Sequence, residues 1–184
     1  MKKKIIVAPL NWGLGHASRC VPIIQLLLKN KYTPIIASDG DALAFLQKEF
    51  PSVDFLKLPA YNVEYGRNLQ LSLLFQLPKI WNAVKKEQQL IQKFIDENKD
   101  VVGVISDNRF GVRNEKIPSV YITHQVNVLS GITSFLTSTI HQNIIRKFDE
   151  CWIPDTEKSE FSGILSSSKR NFNSKFIGVL SRFK

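Results

Sequence analysis

A histidine directly follows two closely spaced glycines near the start of the chain, in the order Gly13, Leu14, Gly15, His16. Imidazole takes up and releases a proton near neutral pH, so His16 is a candidate general base. The glycines permit a tight turn and let backbone N–H groups approach a ligand closely. The turn is therefore predicted to bind a substrate or a phosphate through its amides. The alternative is a histidine whose ring only caps the turn.

Polar residues also end two later apolar runs of the sequence. Asp107 closes the run that begins at residue 101, and His124 follows the run that begins at residue 119. Because parallel strands bring their carboxyl ends to one edge of a sheet, these residues are expected to meet His16 there. Asp107 is the second candidate base. The other predicted substrate- or phosphate-binding residues are Asn11, Arg19, Asn108, Arg109, His124 and Gln125.

Each of these residues also has a purely structural interpretation. Asp107 fits an N-cap or turn position after a strand, and His124 fits a residue that satisfies the backbone there. Arg19, in the first turn of a helix, is typical of a salt bridge, although a cation there can also meet a phosphate. Asn108 and Arg109 fit a solvated loop, and that interpretation is favoured for them.

Alternating strands and helices must position these polar residues. Short apolar runs predict seven strands, at residues 4–9, 33–38, 53–58, 101–106, 119–123, 151–154 and 175–178. Apolar residues at helical spacing predict helices over residues 17–30, 41–50, 69–98 and 133–148. Pro22 is expected near the first turn of the first helix, and residues 39–41 are expected to cap the second. This alternation, with nearly continuous apolar strands, indicates an α/β fold whose parallel sheet is covered by helices on both faces.

Composition limits the classes of partner and the location. The 184 residues suffice for one domain, and the net charge of +9 suits phosphorylated substrates or an anionic membrane. Nucleic acid is not expected, because Lys and Arg are scattered and no RNA-binding or zinc-finger signature is present. Cys20 and Cys151 are predicted to be buried thiols in a reducing compartment. The basic N-terminus leads into a strand rather than a signal peptide, so a cytoplasmic location is expected.

Three segments together resemble a known family. They are Gly13 to Arg19, which read Gly-x-Gly-His-x-x-Arg; Ile105-Ser106-Asp107; and residues 176–183, which read Phe-Ile-Gly-Val-Leu-Ser-Arg-Phe. In this order the chain resembles, over nearly its whole length, the N-terminal half of GT-B glycosyltransferases. The similar group within that family is the one that adds N-acetylglucosamine to lipid I in peptidoglycan synthesis.

The resemblance implies a domain organisation. Residues 1–178 correspond to a Rossmann-like domain that binds the acceptor, and residues 179–184 to the start of a linker. The C-terminal domain that binds the nucleotide-sugar donor is not in this chain, so the chain alone is expected to be inactive. The acceptor is expected to be a glycan or a lipid-linked molecule.

The resemblance also implies a reaction. An acceptor hydroxyl attacks the anomeric carbon of the sugar while a nucleoside diphosphate leaves, and His16 or Asp107 receives the acceptor proton. The amides of the glycine turn steady a donor phosphate across the cleft. No bound metal and no cofactor are expected, since the nucleotide sugar is a co-substrate.

Two rival functions stay open. One is half of a nucleotide-sugar epimerase, which shares the two-domain architecture and has no external acceptor. The other is a non-catalytic Rossmann module that binds a nucleotide or a partner protein. A dinucleotide site is disfavoured because Ser18 stands where a third glycine is required, but Asp39 after the second strand is placed to touch a ribose.

The apolar segment at residues 66–86 has two interpretations. The favoured one is ordinary core, with a kink at Pro78. The other is an interfacial segment, flanked by basic residues, that rests on anionic lipid and collects a lipid-linked acceptor. The second interpretation places the protein peripherally on the inner face of the membrane.

Overall fold

The computed structural model describes residues 2–62, 69–124, 134–156 and 172–182, without the side chains of residues 69–75 and 134–138. The strands are β1 (Lys4–Pro9), β2 (Thr33–Ser38), β3 (Asp54–Lys57), β4 (Val101–Asp107), β5 (Ser119–Ile122), β6 (Glu150–Ile153) and β7 (Ser174–Phe176). The helices are α1 (Leu14–Lys29), α2 (Gly40–Glu49), α3 (Leu69–Glu97) and α4 (Ser134–Ile145). Each element overlaps one of the predicted strands or helices.

All neighbouring strands are parallel, in the order β3-β2-β1-β4-β5-β6-β7. The chain therefore builds outward from β1 to one edge, crosses back, and builds outward from β4 to the other. This change of direction places the carboxyl ends of β1 and β4 side by side, with Pro9 in register with Asp107. A crevice at such a switch point is where parallel α/β sheets bind ligands. The expected α/β fold with a parallel sheet is confirmed.

The sheet has an apolar core on each face. On one side, strand residues such as Ile6 and Ile35 pack against Ile91 and Ile95 of α3. On the other side, Val7 and neighbouring strand residues pack against α1 and α2. The α1 and α2 residues of this second core are Ala17, Cys20, Val21, Ile24, Ala42, Leu43 and Leu46. Both Cys20 and Cys151 are buried thiols outside any disulfide, as predicted.

Helix α1 begins earlier than the sequence predicts. It starts at Leu14 rather than at residue 17. Gly13 adopts a φ of +76°, which glycine tolerates, and the helical conformation begins at the next residue. Two consequences follow from the three extra residues. His16 lies within the first helical turn, and Pro22 lies inside the helix, so the prediction that Pro22 occupies the first turn is wrong.

The cap of α2 also differs from the prediction. Asp39 is the N-cap residue, but its carboxylate makes no capping hydrogen bond. Instead, Oδ1 of Asn11 accepts the N–H of Ala42 at 3.1 Å. The loop after β1 therefore caps the helix after β2, which frees the Asp39 carboxylate for a different partner.

Candidate functional site

Four polar side chains meet where β1, β4 and β5 end. We call His16, Arg19, Asp107 and His124 the site cluster. His16 and Arg19 lie three residues apart on α1 and therefore share one face of the helix. Asp107 is the last residue of β4, and His124 follows the end of β5. The prediction that these separate stretches of sequence converge at one edge of the sheet is confirmed for all four.

Asp107 is the centre of the cluster and is completely buried. Its Oδ2 accepts Nε–H of Arg19 at 2.5 Å, and its Oδ1 accepts Nη2–H of the same guanidinium. Oδ1 also lies 2.9 Å from Nδ1 of His16. Burial on its own raises the pKa of Asp107, but the hydrogen bonds from Arg19 and His16 outweigh it and hold that pKa below its usual value. The carboxylate is therefore ionised at neutral pH.

A buried, fully engaged carboxylate cannot itself meet a substrate hydroxyl. Besides Arg19 and His16, the Asp107 oxygens face the Cys20 thiol at 3.8 Å and the Asn108 amide at 3.3 Å. The side chain of His16, by contrast, is 16% exposed. Of the two candidate bases, only His16 reaches the surface. Asp107 contacts the buried side of the His16 ring through Nδ1.

Nδ1 of His16 has two neighbours of opposite kind. Oδ1 of Asp107 is an acceptor at 2.9 Å, and Nη2 of Arg19 is a donor at 2.7 Å. If Nδ1 carries the proton, it donates to Asp107, and Nε2 is left with a lone pair. That is the form of imidazole that can accept a proton from a substrate.

His124 is tied to the cluster through the same guanidinium. Nη1 of Arg19 lies 3.1 Å from Nδ1 of His124. The pKa of His124 is lowered, first by burial and then by the positive charge of Arg19. His124 is therefore neutral at pH 7, in a half-buried position.

The glycine turn borders open space. Gly13 precedes α1 and makes no side-chain cap, and a Cβ placed on Gly13 or Gly15 would meet no atom within 4 Å. Trp12 and Leu14 beside it are 42% and 49% exposed. The first amides of α1 therefore lack a capping side chain, as a phosphate-binding turn requires, and the predicted phosphate role of Gly13, Leu14 and Gly15 stays a prediction.

The other predicted contact residues brace the loops. Oδ1 of Asn11 accepts the backbone N–H of Ala42, and Nδ2 of Asn11 donates to Asp39 at 3.3 Å. Asn108, at a φ of +58°, donates to Asp107 and accepts the Tyr121 hydroxyl at 3.0 Å. Gln125 lies outside the described residues.

Arg109 differs most from its prediction. The interpretation as a solvated loop residue is wrong, because its side chain is 0% exposed. Its Nε donates to Glu87 at 2.5 Å, Nη1 to Asp39 at 2.6 Å and Nη2 to the carbonyl of Pro59 at 2.7 Å. Each of its three nitrogens makes a hydrogen bond and the side chain is fully buried, so the guanidinium is not accessible to a substrate.

We call Asp39, Tyr61, Glu87 and Arg109 the buried ion network. The Tyr61 hydroxyl donates to Glu87 at 2.8 Å, and the ring of Tyr61 stacks beneath the guanidinium at 5.3 Å. Burial raises the pKa of Glu87 even though Arg109 and Tyr61 act against that rise. Sequence reasoning missed Glu87. Its signal was a carboxylate four residues before Ile91, in the apolar stripe of α3, where only a buried cation can compensate it.

Metal binding finds little support in these contacts. Residues 39–41 read Asp-Gly-Asp, a spacing that metal sites use, which the metal-free expectation overlooked. However, the Asp39 carboxylate is already held by Arg109 and Asn11. Within the described ranges, no group of three His, Cys, Asp or Glu residues is arranged to hold a metal ion.

No family model matches the sequence, and no curated protein does either. Solved structures match the fold. A UDP-glucosyltransferase from Polygonum tinctorium, capable of glucosylating indoxyl, aligns with a TM-score of 0.64 at 11% identity, over 99% of this chain and 53% of its own. Phytolacca americana UGT2, complexed with UDP-2-fluoro-glucose and pterostilbene, aligns at 0.56 and 13% identity, over 100% and 56%. MurG from Acinetobacter baumannii aligns at 0.53 and 10% identity, over 85% and 42%.

The chain has the fold of the N-terminal half of a GT-B glycosyltransferase. It spans about half the length of the glycosyltransferases it matches. The Rossmann-like fold expected from the resemblance is therefore confirmed. Identities of 10–13% establish likeness of fold, and the site must be argued from its own geometry.

Proposed function

We propose that this chain is the acceptor-binding half of a glycosyltransferase that moves a sugar from a nucleotide-sugar donor to an acceptor hydroxyl. The observation that carries the proposal is the contact of 2.9 Å between Nδ1 of His16 and the buried Asp107 carboxylate. It lies at the switch point of the sheet, where ligands bind in this class of fold. Residues 1–178 form the acceptor domain, residues 179–184 begin a linker, and a second domain supplies the donor.

The proposed chemistry uses His16 as the general base. Nδ1–H of His16 donates to Asp107, so Nε2 accepts the proton of the acceptor hydroxyl. The acceptor oxygen forms a bond to the anomeric carbon as the bond to the nucleoside diphosphate breaks, and the diphosphate leaves with that electron pair. Asp107 stays ionised and stabilises the imidazolium that forms, as in other carboxylate–histidine pairs. This chemistry needs no resident metal or cofactor.

The donor phosphates are assigned to the glycine turn. The first amides of α1 have no intrahelical partner, and the helix dipole places partial positive charge there. Because Gly13 and Gly15 carry no Cβ and border open space, a diphosphate can approach the backbone closely. The Phytolacca americana structure contains UDP-2-fluoro-glucose and that of a transferase from Siraitia grosvenorii contains UDP, which makes a uridine nucleotide the first donor to test.

A direct test uses the full-length protein with its donor-binding domain. Release of UDP from UDP-glucose and UDP-N-acetylglucosamine is measured with and without a panel of hydroxylated acceptors. His16→Ala is expected to lower kcat by about a hundredfold or more, as removal of a general base does. Lys29→Ala, at the exposed far end of the same helix, is the matched control and keeps full activity. A His16→Ala turnover within a few-fold of the control would dismiss the base.

The rival functions give different results in the same assay. An epimerase changes the sugar of the donor without any external acceptor and without net release of UDP. A dinucleotide-binding module is disfavoured, because the Asp39 carboxylate that was to touch a ribose is held by Arg109 and Asn11.

We also propose that residues 66–86 contact anionic lipid at the cytoplasmic face of the membrane. On α3, Ile80 and Val84 pack inward, which supports the core interpretation for that face. Trp81 is 45% exposed, and Lys85 and Lys86 beside it are exposed as well. Among the described residues, no helix has the length and apolarity needed to cross a bilayer.

Liposome pelleting tests this membrane contact. With vesicles that contain anionic lipid, Trp81→Glu is expected to reduce the bound fraction several-fold, because it replaces an interfacial aromatic with a repelled charge. Leu26→Glu, at an apolar residue of α1 that is 61% exposed, is the matched control. Equal pelleting of both variants and the wild type would contradict the proposal that residues 66–86 contact lipid.

A further inference from the structure

We propose that Arg19 is a positioning residue that makes His124 a hydrogen-bond donor directly and, by holding the Asp107 carboxylate in place, makes His16 a proton acceptor. The tautomers follow from the cluster geometry alone, and their use in catalysis rests on the proposed function. Its position in the sequence predicts a simple salt bridge or, alternatively, a phosphate contact for Arg19. Its contacts go beyond both.

The assignment for His124 follows from donor and acceptor counting. A guanidinium has five N–H donors and no acceptor, and it stays charged at any relevant pH. Nδ1 of His124 lies 3.1 Å from Nη1 of Arg19, so Nδ1 must offer a lone pair. The proton of the neutral ring therefore sits on Nε2. His124 can donate a hydrogen bond to a substrate through that atom, and it cannot act as a base there.

The opposite tautomer follows for His16. Nη2 of Arg19 already donates to Oδ1 of Asp107, and this contact is the shortest in the cluster. The same anionic oxygen, which the Asn108 amide also approaches at 3.3 Å, lies 2.9 Å from Nδ1 of His16 and is a strong acceptor, so Nδ1–H is assigned to it. Nη2 of Arg19 and Nδ1 of His16, 2.7 Å apart, are then both donors, so this contact opposes the tautomer and the negative charge of Asp107 must outweigh it. Nε2 of His16 keeps its lone pair, as a base requires.

Only a planar fork can do this. Nε and Nη2 hold the two oxygens of Asp107 while Nη1 reaches His124, three directions that one rigid group satisfies together. A lysine ammonium would pair with Asp107 but has no fixed geometry with which to orient either ring. Arg19→Lys therefore keeps the positive charge beside Asp107 but removes the fixed geometry that orients the two rings.

The groups that act on His124 come from several elements. Burial and the charges of Arg19 and His16 oppose its protonation, whereas Asp107 and Asp155 favour it. Around Arg19 itself lie Cys20 and Tyr121, both neutral because burial raises their pKa values well above the usual range. Loss of the Arg19 charge should therefore raise the pKa of His124.

The first test needs no enzymatic activity. In ¹⁵N NMR spectra of the 184-residue chain, which has three histidines, the tautomers are read from the nitrogen shifts. We expect the proton on Nδ1 of His16 and on Nε2 of His124 at pH 7. Either ring in the other tautomer, or His124 charged at that pH, overturns the proposal in the wild-type protein without any variant.

Variants then test the role of the guanidinium. In Arg19→Gln, the pKa of His124 should rise and its preference for Nε2–H should weaken, while His141 serves as the internal reference. Arg19→Lys should keep more of the wild-type titration and lose the fixed tautomers. Unchanged tautomers and titration in folded Arg19→Gln contradict the proposal.

Kinetics of the full-length enzyme separate positioning from phosphate binding. Arg19→Lys is expected to lower kcat by about 10- to 100-fold with little change in the KM for the donor, because the base is misplaced while the phosphate contacts remain. A raised donor KM at unchanged kcat would return Arg19 to phosphate binding. If the NMR result holds and the wild-type enzyme transfers no sugar, the proposed function fails and the tautomer assignment stands.

Discussion

Two largely buried arginines lie at the same edge of the sheet, and they have different kinds of partner. Arg109 donates to two carboxylates and a carbonyl, in a network whose side chains are almost fully enclosed. Arg19 holds one carboxylate and two imidazoles, and its side chain is still 13% exposed. In the buried ion network, all three nitrogens of Arg109 bond to groups inside the protein. The site cluster ends in two partly exposed histidine rings, whose Nε2 atoms are the proposed proton acceptor and hydrogen-bond donor.

The contrast teaches how to distinguish a structural buried charge from a functional one. Arg19 contacts Asp107, Arg109 follows Asp107 by two residues in the sequence, and both are polar residues of the same predicted edge. What separates them is the partner. Arg109 donates to two carboxylates and a carbonyl, whereas Arg19 also contacts two imidazole rings, a type of side chain that can exchange a proton with a substrate. The predictions below test that separation.

The largest expected effect is on stability, in the buried ion network. Arg109→Ala leaves Asp39 and Glu87 buried without their cation, which should cost about 3–5 kcal/mol of unfolding free energy. Urea denaturation followed by tryptophan fluorescence measures it. Lys175→Ala, which removes an exposed cation that pairs with Glu150 at 2.6 Å, is the control, with an expected loss below about 1 kcal/mol. Equal losses of unfolding free energy in the two variants would contradict a special role for the buried ion network in stability.

The site cluster should respond chiefly in turnover. Asp107→Asn places an amide N–H against either Arg19 or His16, so it disturbs the His16 tautomer, and kcat should fall by about a hundredfold or more. Cys20→Ala is the control, since its thiol touches Asp107 at 3.8 Å without contacting an imidazole. An Asp107→Asn enzyme with kcat within a few-fold of Cys20→Ala would show that the carboxylate does not orient the base.

The pH dependence of stability should have opposite signs in the two regions. The pKa of Asp107 is lower in the folded chain than in the unfolded one, where it is near 3.8. The unfolded state thus binds more protons in the interval between those values. The stabilisation from Asp107 is present above that interval and disappears as the pH falls through it. In Asp107→Asn, this acid-induced loss should be smaller than in the wild type, by denaturation between pH 2 and 5.

Glu87 should show the reverse. Its pKa is raised on folding from about 4.5, so the folded state binds more protons above that pH. Stability should therefore fall as the pH rises from about 4.5 through the folded pKa. Glu87→Gln cannot ionise and should lose this decline. A Glu87→Gln curve parallel to the wild type from pH 4 to 8 would show that the pKa of Glu87 is unchanged by folding.

The smallest expected effect calibrates the others. Lys93 and Glu97 form an exposed pair of 3.8 Å on α3, one turn along the helix from each other. Lys93→Ala should change the unfolding free energy by less than about 0.5 kcal/mol, because water screens such pairs. A loss above 1 kcal/mol would mean that the assay overestimates charge effects in general.

Much of this fold was predictable because its signals are local. Apolar runs gave the strands and their order of appearance, and the polar residues at their ends marked the edge where the site cluster forms. The start of α1 was missed by three residues, since the sequence does not reveal that Gly13 turns directly into the helix. The roles of single polar residues were harder to predict than the place where they meet.

Arg109 and Glu87 show why. They lie 22 residues apart, and nothing in either neighbourhood states that they pair. Asp39, 70 residues from Arg109, was expected to cap α2 and is replaced in that task by Asn11. Such choices among possible hydrogen-bond partners depend on the assembled sheet and not on the sequence near each residue.

The exchange of caps between Asn11 and Asp39 has a consequence for inheritance. Gly40 has a φ of +49°, and a Cβ there would lie 2.2 Å from Nδ2 of Asn11. Any side chain at position 40 would push the amide away from Ala42 and Asp39. Positions 11 and 40 should therefore change together or not at all among descendants of this sequence, although 28 residues of chain separate them.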